Sequence, residues 1–466
     1  MSVRLVFRTV AAAAAAVALA VTIPVPAAAV GPPVIDPGAL GQAMGLADRP
    51  APPDPTEQSA ECAEPTLTGG PPQEPPIAQR VLNLPAAWEF SRGAGQKVAV
   101  IDTGVNRHPR LPRLEAAGDY VSNSDGTADC DGHGTIVAGI IGAQPSPGDA
   151  FSGVAPDADL LTIRQLSLAY QRVQGGSQNI PGAIQPSGYG TTFTLAAAVV
   201  RAVNLGATVI NISEVACSPA GGDTADAPLG AAVRYAYDRN VVVVAAAGNV
   251  SSEGACSEQN EGTGWQQVGT IATPAWFAPY VLTVASVDVD KQPSELSLHG
   301  PWVGVAAVGR DVVSLDSRPG GTGLVNGVQT DQGTNPLEGT SFAAPHVSGL
   351  VALVRARFPE LSAGQVIDRI VRTSHAPGRG RDDGVGAGMI DPLAALTDPL
   401  PAAPIAEGAD RAQPIAAPVL PTGPDPRPRR IAVIGSSILL AALVIGGGIA
   451  MSLRRSRSEP PVDLDL

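Results

Sequence analysis

The chain runs to 466 residues, 44% of them hydrophobic and 4% aromatic, with 53 Gly and 45 Pro. That length is ample for one large core and gives a prior of about three domain-sized pieces. The formal net charge is -13 and no basic patch dominates the soluble part, which argues against nucleic-acid binding.

The chain opens with Arg4 and Arg8, an apolar run over residues 10–25 broken by prolines, and Ala27-Ala28-Ala29. This pattern predicts a secretory signal peptide over residues 1–29, cut near Ala29. A short membrane anchor is the other reading, which Pro24 and Pro26 disfavour. Export would place Cys62, Cys130, Cys217 and Cys256 in an oxidising compartment. An even set there predicts two disulfides, with three pairings open. Residues 30–80 are dense in Pro, Gly and acidic side chains, with little periodicity. Such a segment cannot build its own core. It is expected to be a strap over the body, with Cys62 as a staple.

The globular part begins near Ile77. Lys97-Val98-Ala99-Val100-Ile101 is a short apolar run rich in β-branched residues, which predicts a buried strand. It ends in Asp102-Thr103-Gly104. An acid at the carboxyl end of a parallel strand lies where open α/β sheets build their sites. Taken alone, the tripeptide also fits a turn-forming Asp before Gly. Next, Asp131-Gly132-His133-Gly134-Thr135 leads into a helix-like apolar stretch. The flanking glycines allow backbone and substrate to come close to the imidazole. Of the five histidines, His108 and His375 lie in polar loops, His299 in a turn and His346 inside an expected helix. His133 is therefore the best candidate for a base.

Further strands are expected over 159–163, 208–212, 241–246 and 280–285, with helices over 192–205 and 229–239. This alternation predicts an α/β fold, a mostly parallel sheet with helices on both faces. Residues 171–190, rich in Gly, Gln, Ser and Pro, form a long loop. Another strand ends in Gly248-Asn249. An Asn carboxamide can donate to an oxyanion, although Gly-Asn is also an ordinary turn.

Gly339-Thr340-Ser341-Phe342-Ala343-Ala344-Pro345-His346-Val347 places a hydroxyl where an apolar helix starts. Unpaired N–H groups there favour developing negative charge. Ser341 is a nucleophile if a base and an orienting acid join it, and otherwise an N-cap. A second helix is expected over 362–373, opened by a capping serine.

Taken together, these pieces resemble the subtilisin-like serine proteases. The order Asp102, His133, Asn249, Ser341 follows that of subtilisin. Val-Ile-Asp-Thr-Gly, His-Gly-Thr-x-Val-Ala-Gly and Gly-Thr-Ser-Phe-Ala-Ala-Pro-His-Val carry the resemblance, which spans residues 81–395. It implies Ser341 as nucleophile, His133 as general base and acid, and Asp102 as orienter. It also implies an oxyanion hole made by Asn249 and the Ser341 N–H. Ile210-Asn211-Ile212-Ser213 resembles the family's substrate-binding strand, and Ser213 is placed to pair with substrate backbone. Typical members continue Leu-Gly. Here Glu214-Val215 follows, which alters the first specificity pocket. Strand-end polarity accounts equally well for Ser213 and Glu214. No acidic cluster has metal-ligand spacing, so neither a metal nor another cofactor is expected.

Residues 396–430 are Ala- and Pro-rich and predict a semi-extended linker. Residues 431–453 carry no charge and are long enough to span about 30 Å of hydrocarbon as one helix. Arginines flank both ends, so their balance gives no orientation. With the body exported, residues 454–466 would be cytoplasmic. This whole-chain plan resembles the mycosins, membrane-anchored proteases of actinobacterial type VII secretion systems. The resemblance implies Cys62–Cys130 and Cys217–Cys256 bonds and a strap that wraps the catalytic domain. It further implies a cell-membrane location, with protein or peptide substrates and secretion-complex components as partners. Two roles follow from it: a selective endopeptidase, or a structural subunit with catalysis secondary.

Overall fold

The computed structural model describes residues 30–174, 182–185, 187–251, 256–330, 333–378, 380–400, 436 and 440–451. The chain forms two units, residues 1–402 and 403–466. The expected signal peptide, most of the linker and the C-terminal tail lie outside the described residues.

The first unit is built on seven parallel strands. In chain order these are β1 (Lys97–Asp102), β2 (Leu114–Asp119), β3 (Asp159–Arg164), β4 (Val209–Ile212), β5 (Val242–Ala246), β6 (Val281–Val287) and β7 (Val303–Val308). Across the sheet they run β7-β6-β5-β4-β1-β3-β2. The strands read as continuous apolar runs because both faces are covered. Along β1, Val98 and Val100 point into one core and Ala99 and Ile101 into the other, following the two-residue period of a strand. The first core is closed by α2 (His133–Gly142) and α5 (Thr340–Arg357); the second by α3 (Thr192–Asn204) and α4 (Ala227–Asp238). Thr191 caps α3 by accepting from Thr194 N. Ser362 does the same for α6 (Ala363–Thr373) through Gln365 N.

β2 and β7 were not anticipated. β2 is an edge strand whose Glu115 and Ala116 are exposed, so it lacks the apolar continuity that marks the others. The body also runs past residue 395. Helix α7 (Pro392–Thr397) is capped by Asp391, and Leu396, placed in the linker by composition, is fully buried.

The strap has more structure than its composition suggests. Helix α1 (Leu40–Ala47) buries Ala43 and Ala47, one turn apart, in the second core. Arg201 of α3 donates to its Ala47 carbonyl at 2.9 Å. Strand Thr56–Gln58 pairs with Tyr170–Arg172, and Glu64–Thr66 pairs with Gly327–Thr330. Cys62 is bonded to Cys130. The segment has no core of its own and borrows the body's.

In the second unit, residues 440–451 are helical. Its Leu440, Leu443, Val444 and Ile445 are all more than 60% exposed. Among the described residues no helix is long and apolar enough to cross a membrane. Of the expected 431–453 span, residues 436 and 440–451 are described as helix, and the rest lies outside the described residues.

Candidate active site

Asp102 ends β1, fully buried. Its Oδ1 accepts the Thr103 N–H at 2.8 Å and lies 2.7 Å from His133 Nδ1. Among the described residues its Oδ2 has no hydrogen-bond partner, although it is buried. His133 is the first residue of α2, entered through Gly132 at φ 76°. A Cβ on Gly134 would overlap the Gly104 carbonyl and press on the Asp102 side chain. The glycine after the histidine is therefore needed so that the acid and the imidazole can meet.

Asp129, which sequence reasoning missed, locks the two loops together. Its Oδ1 accepts from Thr103 Oγ1 and Gly132 N, both at 2.8 Å, and its Oδ2 from Thr135 N and Oγ1 at 2.8 and 2.6 Å. Its separation from Thr103 is 26 residues, so no local pattern could reveal it.

Ser341 is the second residue of α5, and the N-cap is Gly339. Ser341 therefore does not cap the helix. Gly339 has φ 137°, and a Cβ there would come within 2.8 Å of Asn249 Nδ2. Asn249 Oδ1 accepts from Thr340 N at 2.9 Å and from Thr340 Oγ1 at 3.0 Å. A backbone N–H can only donate, so the carboxamide oxygen must face Thr340 and its NH₂ is left for another acceptor. Asn249, Ser341 and His133 line one cavity of about 280 Å³. Among the described residues no hydrogen bond joins Ser341 Oγ to the imidazole. Such bonds commonly tighten when substrate binds.

Ser213 has an unexpected task. Pro345 lacks an N–H, so the Ser341 carbonyl loses its intrahelical partner. Ser213 Oγ donates to that carbonyl at 2.8 Å, and Asn211 Nδ2 supports Ser213 Oγ at 2.9 Å. The side chain thus serves the nucleophile's own helix. Val215 stands where the family's glycine would be and lines the same cavity with Cys256. Cys256 is bonded to Cys217.

Glu214 Oε1 lies 3.4 Å from His133 Nδ1, with its side chain 14% exposed. Burial opposes the imidazolium, but the Asp102 and Glu214 carboxylates outweigh it and raise His133 to about 10. Burial first, then Asp102 and Asp131, raises Glu214. Both directions say the same of the cluster: it holds protons more tightly than water would allow. Asp102, His133 and Glu214 offer three donor atoms within 4.8 Å of one another. The donor set centres on an imidazole nitrogen already engaged by Asp102, the geometry of a proton-sharing pair.

The subtilase family model matches residues 93–388, so fold and site fall within one class of hydrolase. Mycosin-3 of Mycobacterium tuberculosis is 43% identical over 93% of this chain and 94% of its own. The crystal structure of MycP1 from Mycobacterium smegmatis is 44% identical, with TM-score 0.73 over 80% of this chain and 97% of that one. A chain in the structure of an intact ESX-5 inner membrane complex is 41% identical, with TM-score 0.73 over 91% of this chain and all of that one. The chain belongs to the subtilase family of serine proteases and, within it, to the mycosins.

Proposed function

We propose that this protein is a serine endopeptidase of a type VII secretion system, anchored in the cell membrane by residues 431–453, that cleaves selected secreted proteins. The observation that carries the catalytic half is the 2.7 Å contact of His133 Nδ1 with Asp102, made beside a cavity that also holds Ser341 and Asn249. In this reading Ser341 Oγ attacks the scissile carbonyl while its proton passes to His133 Nε2. Asp102 holds the tautomer. Asn249 Nδ2 and the Ser341 N–H receive the oxyanion. The C–N bond then breaks, the imidazolium returns the proton to the leaving amine, and water repeats the sequence on the acyl-enzyme. Ser213 contributes by its backbone, as an added strand for substrate.

The domain plan follows the same reading. Residues 1–29 are removed on export, 30–80 wrap the body, which runs through α7 (Pro392–Thr397), the following residues up to 430 link it to the span, and 454–466 are cytoplasmic. A structural role in the secretion complex is the second reading. It is favoured by the likeness, over 91% of this chain, to a chain within an intact ESX-5 inner membrane complex.

The test is reaction of the full-length chain with a fluorophosphonate serine probe, beside Ser341→Ala and His133→Ala. Labelling of the native protein alone supports the peptidase. Absence of labelling in a folded native protein moves the weight to the structural role.

A further inference from the structure

Glu214 stands between two cavities. One holds Ser341; the other, of about 370 Å³, lies on the far side of His133, and the strap builds part of its wall through Ala60, Glu61 and Ala63. The second cavity is walled by apolar groups such as Ile136, Leu168 and Phe342 and edged by the carboxylates of Glu61, Asp131 and Glu214. Among the described residues neither cavity is lined by a lysine or arginine. Asp131 is already occupied, accepting from Ser167 Oγ and from the N–H groups of Leu168 and Ala169. Glu214 has the His133 imidazole as its ion-pair partner, at a loose 3.4 Å, and the Gln185 side chain as a hydrogen-bond partner that brings no positive charge. An apolar slot that ends at Glu214, whose charged partner among the described residues is the imidazole, suits a long aliphatic stem with a cationic head.

We propose that Glu214 is the specificity-determining residue of this site, selecting substrates with a lysine or arginine side chain next to the scissile bond. The cation takes Glu214 as its partner and so relieves the imidazole of one of its carboxylates. The groups that face His133 are Asp102 from β1, Asp129 from the loop before α2, and Glu214, with Asp131 acting on Glu214. Offsetting the Glu214 charge at the moment of binding therefore lowers the hold of His133 on its own proton, so that more of the imidazole is in the neutral form that can accept one from Ser341. The right substrate would help to switch the enzyme on. This inference rests on the peptidase reading for its catalytic consequence, but its binding consequence can be measured separately.

The experiment uses the full-length chain in detergent micelles carrying Ser341→Ala, so that nothing is cut. The probes are fluorescein-labelled decapeptides that differ in bearing one lysine or one norleucine at each central position. Lysine at one position is expected to bind about tenfold more tightly than norleucine, the scale of a charge-assisted contact. Adding Glu214→Gln removes that preference, and Glu214→Asp retains part of it. The Asp variant keeps the test decisive should the Gln variant fold poorly. In the otherwise native chain, Glu214→Gln also moves the acidic limb of fluorophosphonate labelling down by about one pH unit. Equal binding of lysine and norleucine at every position, or a lysine preference that survives Glu214→Gln, overturns the proposal. Absence of labelling alongside an intact lysine preference counts instead against the peptidase reading.

Discussion

The Asn249 carboxamide is held by Thr340, whose N–H and hydroxyl both donate to its oxygen, at 2.9 and 3.0 Å. The residue before the nucleophile therefore aims the oxyanion donor. Asn249→Ala is expected to lower kcat roughly a hundred- to thousandfold with little change in KM. Thr340→Val keeps the backbone bond and should lose less. Steady-state kinetics on a cleaved peptide checks both, and an unaffected kcat in Asn249→Ala would remove Asn249 from the oxyanion hole.

His133 is raised above its ordinary 6.5 by the carboxylates around it. A protonated imidazole cannot accept the Ser341 proton. The labelling rate should therefore climb with pH through and beyond neutrality, its midpoint lying above 6.5. A limb centred at or below that value would show that the Asp102 and Glu214 charges are compensated in solution.

Gly134 touches the Gly104 carbonyl so closely that a methyl group has no room. Gly134→Ala should destabilise the fold by about 1–3 kcal/mol and abolish labelling, because the Asp102 turn and the start of α2 are pushed apart. Thermal melting and labelling of the same sample separate the two effects.

Ser213→Ala removes the donor that satisfies the Ser341 carbonyl left open by Pro345. A buried acceptor without a partner costs about 1–3 kcal/mol. The double variant Ser213→Ala/Pro345→Ala returns an N–H to the helix and should recover much of that loss in chemical denaturation. Additive losses would show that the two residues are not coupled.

Burial holds His346 at about 4, well below its ordinary 6.5. The unfolded chain takes up this proton below about 6.5, whereas the folded chain resists until about 4. The stability is present above that window and is lost as pH falls through it. The denaturation midpoint of the native protein should fall more steeply between these values than that of His346→Leu. Parallel slopes would place the acid sensitivity elsewhere.

Asp102, His133, Asn249 and Ser341 were legible because each sits in a short motif at an element boundary. The central strands were legible because burial on two faces leaves an unbroken apolar run. Asp129 was not, since its importance comes from partners far away in the chain; Glu214 stood out as a departure from the family's strand, but its approach to His133 was not legible for the same reason. Ser213 was found by resemblance, but its side-chain partner was not. Pro345 gives the cue in retrospect, because a proline in the first turns of a helix announces a carbonyl needing another donor. Helix α1 escaped notice because two alanines are a faint apolar stripe.

The Cys62–Cys130 bond joins positions 68 residues apart, and Asp102 lies within the ring of chain it closes. A single proteolytic cut inside that ring would release no fragment: the two pieces would migrate as one species until reduced. A cut before Cys62 would instead leave α1 and the strand Thr56–Gln58 attached by packing and pairing alone. Clipping on the two sides of Cys62 therefore produces different molecules, one nicked but whole, the other able to shed its leading segment. Gels run with and without reductant would tell them apart.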